Sequence, residues 1–169
     1  MTFVNVRPTT EDEWELVREL RMRALADTPK AYLETLEEAY HHDEAEWRMR
    51  AARGVNEHGT SLIAEDEHGR WLGGMGGFVP DEAVGPLLVG VFVDPSARGR
   101  GAGVADALLD GIEAWALTRG DALTLHVHEE NPRAIAFYER RGFVADGVRI
   151  PYPLAEGEWE LQMVKRLRD

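Results

Sequence analysis

Between positions 98 and 138 lie residues whose types and spacing could do chemistry. The turn Arg98-Gly99-Arg100-Gly101-Ala102-Gly103 could bind an anion. Unpaired backbone N–H groups at a helix start point outward, and the positive end of the helix dipole favours negative charge there. Glycines remove Cβ atoms, so a diphosphate can approach the backbone closely. Arg98 and Arg100 add local positive charge. A P-loop would need Gly-Lys-Ser/Thr here, and the dinucleotide fingerprint a third glycine where Val104 stands. By itself the turn suits a structural strand–helix connection as well as a phosphate site. His126 and His128 form the second group, two apart on one face of a strand. Imidazoles titrate near neutral pH and suit proton transfer. A His-x-His pair could also begin a metal site, but no motif supplies a third ligand, so no metal is expected.

Periodicity and turn residues outline the elements that must hold these groups. Phe3 to Arg7 reads as a strand closed by Pro8. Thr9 or Thr10 can cap a helix carrying Trp14, Val17, Leu20 and Leu25 at helical spacing. Thr28-Pro29 ends it, and a second helical region runs from about Ala31 to Arg53, interrupted near His41-His42-Asp43. Ser61–Glu65 and Arg70–Val79 read as strands joined by the turn Asp66-Glu67-His68-Gly69. The tract Gly73-Gly74-Met75-Gly76-Gly77 has no helix start or lysine after it, so a bulge or close packing is expected. Leu87 to Val93 is a continuous apolar run that predicts a strand buried on both faces. A helix from about Gly101 to Arg119 follows, stopped by Gly120, and then a strand over Leu123–His128. Asn131-Pro132 opens a helix through Arg140, with proline at its first position. Phe143–Ile150 and Trp159–Leu167 read as closing strands. One domain over 1–169 is expected.

Composition narrows the class. The chain has 169 residues, enough for one unstapled core, and no cysteine, which excludes disulfides and a thiol nucleophile. Nineteen basic against 31 acidic residues give a net charge of −12, which repels nucleic acid and anionic membrane. The first residues lack a signal-peptide core and no apolar run reaches membrane-spanning length, so a cytoplasmic protein is expected.

A second segment gives the glycine turn its meaning. Asn131-Pro132-Arg133-Ala134-Ile135-Ala136-Phe137-Tyr138-Glu139-Arg140-Arg141-Gly142-Phe143 resembles the Asn-x-x-Ala-x-x-Phe-Tyr-x-x-x-Gly-Phe hallmark of the GNAT N-acetyltransferases. Arg98 to Gly103 is similar to that family's Arg/Gln-x-x-Gly-x-Gly/Ala pyrophosphate loop, in the right order and context. Val6-Arg7-Pro8 and the acidic helix after it look like the family's opening. The diagnostic part is 91–143. The resemblance implies an α/β (α+β) fold: a mixed sheet of six or seven strands, helices on both faces, and central strands splayed near Val93 and His128. It implies acetyl-CoA as co-substrate. Backbone groups of Val91, Phe92 and Val93 would hold the pantetheine arm and polarise the thioester carbonyl. Amides of Gly99, Arg100, Gly101, Ala102 and Gly103 would take the diphosphate beside Arg98, and Asn131 would bond the pantetheine chain.

Acyl transfer to an amine needs a neutral nucleophile, a stabilised oxyanion and a protonated leaving thiolate. Tyr138 matches the tyrosine that the family uses as general acid. Some members place a glutamate five residues before the motif asparagine. This chain has His126 there, either a base or a hydrogen-bonded strand residue. Expected partners are a small-molecule or peptide amine and, left open, a second copy in a homodimer. The acceptor pocket is expected along 28–46 and the loop Ile150–Glu158, where Glu34, Glu37, Glu156 and Glu158 would suit a cationic amine. A silent acyl-CoA-binding sensor and transfer of a larger acyl group are the alternatives.

Overall fold

The computed structural model describes residues 3–99 and 101–168. In chain order it contains β1 (Asn5–Pro8), α1 (Trp14–Asp27), α2 (Leu36–Tyr40), α3 (Glu44–Ala52), β2 (Gly59–Glu65), β3 (Trp71–Phe78) and β4 (Leu87–Val93). Then come α4 (Val104–Leu117), β5 (Ala122–His128), α5 (Pro132–Arg140), β6 (Val144–Pro151) and β7 (Trp159–Arg166). The strands form one seven-stranded mixed sheet in the order β1-β2-β3-β4-β5-β7-β6.

Helices cover both faces because strand residues alternate between two cores. Leu62 and Ala64 of β2 join Leu108, Leu109 and Ile112 of α4, whereas Ile63 between them packs with Leu20 and Leu25 of α1 and Trp47 of α3. Each such side chain contributes about 1.5–3 kcal/mol on burial, so neither helical layer is dispensable.

The glycine tract of β3 makes close packing possible. A Cβ on Gly77 would lie 2.5 Å from the Trp115 ring of α4, and one on Gly73 would lie 2.5 Å from the Phe92 carbonyl oxygen. The register against β4 shifts between Gly74 and Gly76, so the tract also faces a bulge.

That bulge governs the site. Gly90 on β4 has φ +61°, a conformation costly for any residue with a Cβ. Beyond it β4 leaves its neighbour: β4 and β5 are parallel and share one register pair, Leu87 with Thr124. By contrast β5 follows β7 from Ala122 opposite Arg166 to His128 opposite Glu160. The sheet is therefore split between β4 and β5.

Three expectations need correction. β4 is not buried on both faces, because Val89 and Gly90 are exposed where β5 diverges. The helix expected from Gly101 starts at Val104, since Gly103 at its N-cap has φ +70° and turns the chain first. The helical region expected from Ala31 starts only at Leu36, while its interruption near His41-His42-Asp43 separates α2 from α3 as expected; Thr35 caps α2 by accepting from the Glu38 amide, and Asp43 caps α3 by accepting from the Glu46 amide.

Candidate active site

The split opens into two cavities. One, of about 630 Å³, lies towards α1 and α3 and reaches His126, His128 and Glu160. The other, of about 360 Å³, is walled by Val93, Arg98, Gly99, Ala105, Arg133 and Phe137. Tyr32, Val91, Phe92, Asn131 and Tyr138 border both. A ligand passing between β4 and β5 would touch these residues from either side.

The residues expected to hold the donor fall as follows. Val91, Phe92 and Val93 form the β4 edge of the split. The Tyr32 hydroxyl donates to the Val91 carbonyl at 2.7 Å, and Arg98 Nε donates to the Val93 carbonyl at 2.9 Å. Arg98 also pairs with Asp27, so its charge is already compensated. Gly99 is on the smaller cavity's wall, while Gly101, Ala102 and Gly103 complete the turn into α4. The Ala102 amide donates back to the Gly99 carbonyl at 3.3 Å. Arg100 lies outside the described residues. Asn131 Oδ1 caps α5 by accepting from the Ala134 amide at 3.3 Å, and its NH₂ makes no hydrogen bond to a described residue.

Tyr138 sits on α5 with 6% of its surface exposed, edge-on to Phe137 and Phe143 at 5.5 and 5.7 Å. Its hydroxyl makes no hydrogen bond to another described residue. Burial pushes its pKa well above the usual phenol value, with Tyr32 nearby adding to the effect, so it stays protonated at neutral pH.

His126 is exposed at the cavity and lies 2.9 Å from Gln162 Oε1. Because Gln162 Nε2 donates to Asp146 at 2.6 Å, its oxygen faces His126. That arrangement assigns the proton to Nε2 and leaves Nδ1 able to accept one. His128, 3% exposed, is used differently. Its Nε2 meets Glu158 at 2.7 Å, and its Nδ1 accepts from the Glu130 amide at 3.1 Å. Both ring nitrogens are engaged.

The fold supplies no third partner for the histidine pair among the described residues, and instead gathers two carboxylates around His128 alone. His128, Glu130 and Glu158 place ligand-type atoms within 4.8 Å of one another. Lys30 Nζ already lies 3.1 Å from Glu130 and 3.0 Å from Glu158, so an ammonium occupies the cationic position.

The acidic residues expected around the acceptor are elsewhere. Burial pushes the Glu34 carboxyl up, yet hydrogen bonds from Arg50, His42 and Arg21 outweigh it and hold its pKa at about 2. Glu158 is bound to Lys30 and His128, while Glu37 and Glu156 stand off the larger cavity's wall. From 28–46 only Ala31, Tyr32 and Leu33 line that cavity, and none of Ile150–Glu158 does.

Three contributors went unmarked by any motif. Tyr32 reaches Val91, the Tyr152 hydroxyl donates to the Tyr32 carbonyl at 2.7 Å, and Glu160 enters the cavity wall from β7. Tyr152 and Lys30 thereby tie the segment after α1 to the β5–β7 half, across the split.

Comparison with known proteins gives this arrangement its class. The chain belongs to the Acetyltransferase (GNAT) family, whose sequence model matches residues 14–143. It is 35% identical over 148 residues to a mycothiol acetyltransferase of Beutenbergia cavernae, covering 85% of this chain and 45% of that protein. A peptidyl-lysine N-acetyltransferase of Salmonella typhimurium, YjaB, is 35% identical over 86 residues, 44% of this chain and 55% of that one. The chain thus spans about half the length of these curated relatives. Among solved structures, a spermidine N-acetyltransferase from Vibrio cholerae in complex with CoA and spermine superposes with TM-score 0.76 at 16% identity, covering 97% of this chain and 95% of that one. A GCN5-related N-acetyltransferase from Kribbella flavida gives 0.75 at 20%, covering 96% and 97%. These structures share the fold. No helix among the described residues is long and apolar enough to cross a membrane.

Proposed function

We propose that the protein transfers the acetyl group of acetyl-CoA to a primary amine by direct attack within the split sheet. The observation that carries this reading is Tyr138, buried, protonated and bordering both cavities. The donor occupies the smaller cavity, with its diphosphate at the turn before α4 and its pantetheine arm against Val91–Val93 and the free NH₂ of Asn131. The turn's glycines and that unused amide fit such a ligand. The acceptor enters from the larger cavity. Relatives named for mycothiol, lysine and spermidine acetylation differ in acceptor and share the transferred group, which fits a constant donor side.

In the reaction the amine nitrogen attacks the thioester carbon, forming C–N as C–S breaks. Tyr138 gives its proton to the departing sulfur, and His126 Nδ1 takes one from the nitrogen, directly or through water. Solvent returns that proton to Tyr138, so the products are amide and free thiol.

A thiol-release assay with acetyl-CoA over a panel of amines tests this, with product mass read alongside. Turnover with a mass gain of one acetyl group on the amine is expected. Tight CoA binding without turnover on any amine would instead make the protein a cofactor sensor.

A further inference from the structure

We infer that Glu160 receives the acceptor's ammonium group and takes its proton, and that the acceptor carries a single positive charge. The inference rests on the acetyl-transfer reading and names the substrate class of the same site. Glu160 lies on β7 directly across from His128, is 8% exposed, and lines the 630 Å³ cavity. Its carboxylate makes no hydrogen bond or ion pair with a described residue. A carboxylate this far buried, open only at the cavity and without a partner, is costly to ionise, so such a group holds a proton or accepts a cation from the cavity. Burial pushes its pKa up, while His126 and His128 pull it down. The titratable groups facing it are those two histidines on β5 and Tyr152 before β7.

The rest of the wall sets the acceptor's charge. Among the described residues Glu160 is the one carboxylate lining this cavity, and the other ionisable side chains there include Arg21, Arg50 and Arg53. Glu34 and Glu46 together offset the charge of Arg21 and Arg50, but no acid pairs with Arg53 among the described residues. One ammonium therefore finds a counter-charge at Glu160, and a second would meet no free carboxylate and the unpaired Arg53 guanidinium. An amine with a neutral or anionic body fits, whereas a polyamine does not. The proton balance is simple. The ammonium N–H bond breaks, its proton moves to the Glu160 carboxylate, and the neutral amine forms the C–N bond. The proton then leaves to water as the net proton of the overall reaction.

The test follows the side-chain carboxyl carbon of Glu160 by NMR in glutamate-labelled, CoA-bound protein, assigned by its loss in Glu160→Gln. The resonance should titrate above the ordinary carboxylate range and move saturably with 1-pentylammonium, with spermidine binding at least about 10-fold more weakly. An ordinary titration midpoint, or no movement with pentylammonium, would overturn the assignment. Equal or tighter spermidine binding would overturn the single-charge part. For an amine that the wild type acetylates, Glu160→Gln should lower kcat/KM about 10²-fold and remove the acidic limb of the pH profile, with CoA affinity unchanged. Wild-type kinetics in that variant would also overturn it. If the resonance responds to pentylammonium but no amine is ever acetylated, acetyl transfer fails and the amine site stands.

Discussion

The two sides of the split are built from different material. On the proposed donor side the chain contributes mainly backbone: the edge of β4, a glycine turn, and the start of α4 within a short stretch of sequence. On the proposed acceptor side it contributes side chains from distant segments, with Tyr32 after α1, His126 on β5 and Glu160 on β7 meeting at one cavity. Backbone sites need particular conformations, which leave glycines and caps behind as a readable pattern. Side-chain sites need only proximity, which leaves no local pattern.

Substitutions can break this contrast in order of size. The largest effect is expected for Tyr138→Phe, on the boundary. Its kcat should fall about 10²-fold with CoA affinity unchanged, as measured by thiol release and calorimetry. Gly103→Val should come next, on the donor side alone. A branched residue at φ +70° costs on the order of 1–2 kcal/mol or more, so CoA binding should weaken about 10-fold while acceptor KM stays constant.

Glu34→Gln probes an acceptor-side residue that the structure assigns to packing rather than substrate. Leaving Arg21 without a carboxylate and Arg50 with Glu46 alone should cost about 2 kcal/mol after solvent screening, lowering Tm by roughly 4–8 °C with acceptor KM little changed. The pH dependence has a defined sign. Because the folded pKa is depressed from 4.5 to about 2, the stabilisation is complete above the ordinary value and disappears as pH falls towards the folded one. The Tm gap between wild type and variant should therefore narrow through that acid window. The smallest effect belongs to Glu37→Gln and Glu156→Gln. Both residues lie off the cavity wall, so acceptor KM should stay within about twofold, in the range of neutral surface changes.

Legibility in the sequence followed the same division. Asn131-Pro132 announced the start of α5, because an Asx cap followed by proline has few other uses. The split itself was hidden, since Leu87 to Val93 has the composition of any doubly buried strand, and Gly90 was its one local signal. Glu34 and Glu158 looked like acceptor carboxylates until the fold brought Arg50 and Lys30 onto them. Glu160 lies inside the closing strand expected over Trp159–Leu167, where no motif singles it out. Its burial comes from its place beside His128 and Tyr152, a product of strand order that no local spacing encodes.

The account stands on the position of one sulfur atom. A crystal structure with CoA bound should place the thiol in the gap between β4 and β5, in contact with the Tyr138 hydroxyl, and the diphosphate at the turn before α4. A thiol seated away from Tyr138, or a diphosphate bound elsewhere, would contradict it.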